Sequence, residues 1–106
     1  MTDIHTTLAD GERQAAEVQK PGTSRISLAD LMERVVDTAY MRPLFNETVI
    51  ICAVQLDNGF VLVGKSAPTD RANFDEAFCR QLAFDDAIRQ AWPLVAFAAL
   101  DAKLKG

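Results

Sequence analysis

What this chain has little of narrows its function before anything else does. A single histidine, His5, and two cysteines, Cys52 and Cys79, occur in 106 residues. The cysteines form no CxxC pair and have no histidine beside them, so neither a metal-ligand spacing nor a disulfide framework is present. Two free thiols in a reducing compartment are expected. Basic residues are also short: 11 Lys and Arg stand against 15 Asp and Glu, a formal net charge of -4. A protein that grips a nucleic-acid duplex needs a basic face, which argues against a polymeric nucleic acid as partner. A small anionic ligand stays open, because a few focused arginines outweigh the mean field locally. No apolar run approaches the ~20 residues that cross a bilayer. The opening residues MTDIHTTLADGERQAAEV lack the basic and apolar stretches of a secretion signal, so a cytoplasmic protein without a membrane partner is expected. A glycine-rich loop opening a helix and a G-x-S-x-G elbow are missing too. No catalytic residues, no cofactor and no metal are therefore assigned, and enzyme activity is not expected.

What is there reads as one folded domain. Hydrophobic residues make up 49% and charged residues 25%, too apolar for a disordered chain. Residues 1–24 are polar and carry Gly11 and the breaker Pro21-Gly22-Thr23-Ser24. They are expected to form a flexible arm, with at most a frayed helix over residues 11–20. Residues 25–106 then form a single α+β domain: an antiparallel β-hairpin packed with two to three helices.

A helix is expected to start at Ser27, where Ser27 and Asp30 match a capping box. Leu28, Leu31, Val35 and then Thr38 or Ala39 recur at helical spacing, which predicts a helix through about Tyr40, ended by Pro43. The run Thr48–Leu56, the turn Asp57-Asn58-Gly59 and the run Phe60–Lys65 predict a hairpin. A two-residue loop puts Phe60 and Leu62 on the face of Ile51, Ala53 and Gln55; a three-residue loop moves them to the other face. The longest helix is expected from about Phe74 to Ala91, with a kink or restart at Trp92-Pro93.

Both faces of the first hairpin strand are apolar, and a two-stranded hairpin is barely stable alone. A second subunit is the simplest cover, so a homodimer or larger oligomer is expected. Asp85 and Asp86 diverge by about 100° on a helix, unsuited to sharing a metal. Their ordinary role is as helix-surface carboxylates, Asp85 pairing with Arg89. Gln81 and Asp85 nevertheless share the azimuth of the apolar stripe. Either that end of the helix is exposed, or the two side chains line a polar recess. Phe60 serves either as core or as a platform for a ligand.

Taken together, Asn58-Gly59-Phe60 through Ser66-Ala67, then Asn73-Phe74-Asp75, Arg80, Ala87-Ile88 and Trp92-Pro93-Leu94 resemble a family of small proteins from tailed phages and prophages. The likeness runs without a gap over residues 58–94. That family in turn resembles the first-type Thoeris anti-defence proteins, sponges that sequester a cyclic ADP-ribose-type immune signal without degrading it. The resemblance implies a homodimer or higher oligomer in the host cytoplasm that holds a small anionic nucleotide. It implies Phe60, Ser66, Asn73 and Arg80 as binding residues, and Gln81 joins them from its place on the helix stripe. An aromatic face stacks on a base, hydroxyl and amide groups suit ribose, and a guanidinium suits pyrophosphate. Three positions depart from the family pattern: Pro68 where cysteine is common, Cys79 where glycine is usual, and Phe84 where a basic or polar residue is frequent. Two other classes fit the same sequence: an oligomeric interaction or structural phage protein, and an inhibitor of a host protein by direct contact.

Overall fold

The computed structural model describes residues 8–21 and 25–105; His5 and the Gly22–Ser24 part of the breaker lie outside the described residues. In chain order the elements are α1 (Leu8–Val18), α2 (Leu28–Glu33), β1 (Val35–Met41), β2 (Ile50–Leu56), β3 (Val61–Ser66), a 3-10 turn (Arg71–Asn73) and α3 (Glu76–Lys105). The strands form one antiparallel sheet in the order β1-β2-β3. The fold is therefore α+β, with a third strand beside the expected hairpin.

That third strand corrects the expected helix over residues 27–40. The start is as anticipated: Ser27 Oγ accepts from the Asp30 N–H at 3.1 Å, and Asp30 Oδ2 accepts from the Ser27 N–H at 2.8 Å. The helix stops at Glu33, however, and Val35–Met41 pairs along β2. Val35, Val36 and Thr38 are β-branched and lose rotamer freedom in a helix, while the open edge of β2 offers a row of backbone partners. Arg34 fixes the junction. Its carbonyl accepts from the Asp57 N–H at 2.8 Å, and its Nε and Nη2 donate to Asp57 Oδ1 at 3.0 and 2.9 Å.

The hairpin takes the three-residue loop. The Leu56 N–H donates to the Phe60 carbonyl at 2.8 Å, and Gln55 pairs with Val61. Gly59 adopts φ +89, which a side chain would strain. Asn58 Oδ1 accepts from the Phe60 N–H at 3.0 Å and steadies the turn. In this register Leu62 sits opposite Val54, and both are buried.

Of the expected kink or restart at Trp92-Pro93, the restart does not occur: α3 runs through Pro93 as one helix to Lys105. Pro93 has no N–H to donate to the Arg89 carbonyl, and it lies at an exposed position of the helix. The inner sheet residues Ile50, Cys52, Val54 and Leu62 pack against Ala83, Ala87, Ile88 and Ala91 of α3. Gly64 is where strand and helix come closest. A Cβ there would stand 2.2 Å from the Ala83 carbonyl oxygen and 2.4 Å from the Ala87 nitrogen. Helix α3 also covers the free edge of β3, because Gln90 Nε2 donates to the Val63 carbonyl at 2.8 Å and Asp86 Oδ2 accepts from the Lys65 N–H at 3.0 Å. Capping an edge this way blocks further strand addition there.

The segment before the sheet is held at three points. Leu8 of α1 is buried, Glu12 bridges to Arg25 and accepts from the Leu28 N–H at 2.7 Å, and Trp92 Nε1 donates to the Ile26 carbonyl at 2.8 Å. Among the described residues, nothing covers the outer face of the sheet, opposite α3, where Ala39, Met41, Gln55, Val61 and Val63 are exposed.

Candidate functional site

Where β3 ends, the chain leaves the sheet and crosses in front of α3, and a cleft of about 510 Å³ opens between them. Its lining comes from the strand end and linker (Lys65–Thr69), from Asn73 on the 3-10 turn, and from the α3 flank carrying Phe78, Asp86 and Arg89. The linker is shaped locally. Asp70 Oδ1 accepts from the Ala72 N–H at 2.9 Å, and the Asp70 carbonyl accepts from the Asn73 N–H at 2.9 Å, which winds the turn and fixes the Asn73 backbone. Lys65, Asp86 and Arg89 are the charged residues of its lining. The volume lies within the range of small-molecule sites, roughly 300–1,000 Å³.

Of the five residues singled out from the sequence, Ser66 and Asn73 line this cleft. Phe60, Arg80 and Gln81 do not. Phe60 follows the hairpin turn, half exposed. The Arg80 guanidinium lies 4.6 Å from the centre of the Tyr40 ring, a cation–π contact on another flank of α3. Gln81 Nε2 donates to Asp85 Oδ1 at 2.7 Å.

Asp85 itself is buried, which replaces the surface role and the Arg89 pairing expected for it. Its second oxygen accepts from the Leu8 N–H at 3.3 Å, at the first turn of α1, where a negative group suits the helix dipole. The polar recess between elements is thus occupied by the protein's own groups. Nearby, burial pushes the Tyr40 hydroxyl above its ordinary pKa. Burial also raises the Cys52 thiol, against the opposing pull of its hydrogen bond with Tyr40. Among the described residues no cluster of three or more metal-ligating side chains forms.

Lys65, Thr69, Phe78, Asp86 and Arg89 were not selected from the sequence as site residues. They meet only because α3 crosses the end of β3, and spacing along the chain does not encode that crossing. The single local hint is helical: Phe78, Asp86 and Arg89 recur along one side of α3. Among the described residues no helix is long and apolar enough to cross a membrane.

The family model of the Phage protein (N4 Gp49/phage Sf6 gene 66) family matches residues 22–103. No curated protein and no solved structure matches the chain. The match takes in α2, the whole sheet, the cleft and nearly all of α3, and the chain belongs to this family of small phage proteins.

Proposed function

We propose that this phage family member is a binding protein that sequesters a small anionic nucleotide signal of the host, without turning it over. The make-up of the cleft carries the reading: its lining includes Ser66, Thr69 and Asn73 with their hydroxyl and amide groups, the basic residues Lys65 and Arg89, and the aromatic Phe78. Such a set suits a nucleotide, with ribose on the neutral groups, phosphate on the cations and a base against the ring. The cyclic ADP-ribose-type and cyclic oligonucleotide signals of bacterial defence are the ligand class, and the Thoeris sponges are the likeness behind that choice. The working form is a homo-oligomer in the host cytoplasm.

The test is capture. Incubation with cyclic ADP-ribose isomers or cyclic dinucleotides should deplete free ligand, and heating should return it chemically intact. Arg89→Ala is expected to weaken capture by ~1.5–3 kcal/mol through loss of a charge-assisted bond, and Asn73→Ala by about 1 kcal/mol. Phe60→Ala and Arg80→Ala, outside the cleft, should leave it unchanged. A binder present with ligand at a hundred times its Kd gains ~2.7 kcal/mol. A thermal-shift panel that stays flat under those conditions rejects the reading.

A second reading, an interaction protein without a small ligand, draws on a different observation. Leu44 and Phe45, between β1 and β2, are almost wholly exposed. Large apolar groups presented this way on a loop are suited to contact with another protein. Leu44→Ser with Phe45→Ser tests it: loss of biological effect with ligand capture intact favours contact over sequestration.

A further inference from the structure

Helix α3 covers only one face of the sheet. On the other face, strand alternation and the pairing register set out a three-by-three grid of side chains. Its four corners are Asp37 and Met41 on β1 and Val61 and Lys65 on β3, with Ala53 of β2 at the centre. Met41, Val61 and Val63 of this face are each about half exposed. The grid holds two charged residues, Asp37 and Lys65, and they occupy diagonally opposite corners.

That placement decides how a copy of the same surface can lie on it. A face-to-face pair related by a two-fold axis has four simple orientations. With the axis along the strands, Asp37 lies on the partner's Val61 and Lys65 on the partner's Met41. With the axis across the strands, Asp37 meets the partner's Met41 and Lys65 the partner's Val61. Both arrangements bury unpaired charge against apolar groups, which is costly. An axis along the Asp37–Lys65 diagonal sets each charge on its own like. The remaining axis, along the Met41–Val61 diagonal, brings Asp37 over the partner's Lys65 and repeats the pair by symmetry.

We propose that a second copy of this chain docks on the outer sheet face about that diagonal, strands crossing near a right angle. Orthogonal crossing is one of the two ordinary modes of sheet packing. In it Ala53 meets its own symmetry mate and Ala39 lies over the partner's Ile51, so small residues face large ones at the centre. Two ion pairs sit at the corners, where they orient the contact more than they strengthen it. The contact is isologous and closes as a dimer. It stands independently of the ligand reading, and because Lys65 also lines the cleft, the readout is mass and not capture.

Sedimentation equilibrium of the full chain should give a dimer of the 11.6 kDa protomer. Asp37→Lys alone and Lys65→Asp alone should each raise the dimer dissociation constant roughly tenfold or more, since like charges then face each other twice. The double exchange Asp37→Lys/Lys65→Asp should restore it. Both positions are exposed, and circular dichroism checks that each variant is folded. As a second measurement, Ala53→Cys lies on the axis and should be joined to its mate by a short bismaleimide. The span of that reagent suits two sheets packed about 10 Å apart, too far for a direct disulfide; the native Cys52 and Cys79 are buried. A monomer at every concentration, a dimer indifferent to the single reversals, a double exchange that fails to rescue, or an uncross-linked Ala53→Cys overturns the proposal. A dimer broken only by Phe97→Glu belongs to α3 and overturns it equally.

Discussion

At the scale of single residues, Gly64 has the least room to change. The atoms that a Cβ would strike are backbone atoms of α3, so truncating a helix side chain cannot relieve the clash. The helix must move away from the sheet, opening the contact that buries Cys52, Leu62 and Ile88. Overpacking of this kind costs about 1–3 kcal/mol, and a rigid backbone contact belongs at the upper end. Gly64→Ala should therefore lower the melting temperature by roughly 10 °C or more in a domain of this size. A melt within a degree or two of the parent would refute the close approach. From sequence, Gly64 reads only as one residue of a strand, because its role depends on a helix twenty residues further on. Asn58-Gly59 and Ser27 with Asp30 were legible, since a turn and a cap are written in neighbouring residues.

At the scale of elements, the sequence misleads where two periodicities coincide. Leu28, Leu31, Val35 and Ala39 satisfy a helical stripe, yet Val35–Met41 becomes β1. Local spacing favours the helix, and the β-branched residues with the waiting edge of β2 favour the strand; tertiary pairing decides. Helix α3 was legible in its first half, and Pro93 suggested a kink or restart where one helix runs on to Lys105. The cleft was legible only in part: Ser66 and Asn73 lie in one short stretch, whereas Asp86 and Arg89 join them through the packing of α3. The junction of α1 and α2 has its own pH dependence. The Arg25 hydrogen bond, helped by the Leu28 N–H, holds the Glu12 carboxyl below its ordinary value of 4.5. A depressed carboxylate contributes stability that is present above that ordinary value and is lost as pH falls through the folded one. Acid titration should therefore loosen α1 below about pH 4.5, and Glu12→Gln should flatten that part of the curve. Hydrogen exchange in residues 8–18, followed against pH, checks it; identical curves for both proteins would count against the bridge.

At the scale of the whole molecule, thinness is the governing fact. The extents are 50 × 37 × 16 Å, one helix layer on one sheet. Such a slab has a core on one side only, and small chains of this kind gain from a partner. Phe97, Leu100 and Leu104 near the end of α3 add exposed apolar surface at 72%, 63% and 88%. A doubly apolar β2 pointed to this from sequence alone, because Ile51 and Ala53 have no reason to be apolar in a strand meant to face water.

The strand order β1-β2-β3 also governs how fast the chain reaches its native state. Each strand pairs with its neighbour in sequence, so the sheet assembles through short loop closures. The long-distance step is the docking of α1 and the Ile26 segment on α3, through the Leu8–Asp85 and Ile26–Trp92 hydrogen bonds. Local pairing of this kind in the sheet favours its early formation, ahead of the long-range docking. The β2–β3 hairpin, closed by Asn58-Gly59, should be formed in the transition state, whereas the Trp92–Ile26 hydrogen bond should form after it. Gly59→Ala is thus expected to slow refolding with little effect on unfolding, and Trp92→Phe to speed unfolding with little effect on refolding. Stopped-flow chevrons of the two variants separate these cases. A Gly59→Ala change confined to the unfolding arm would place the barrier at helix docking instead.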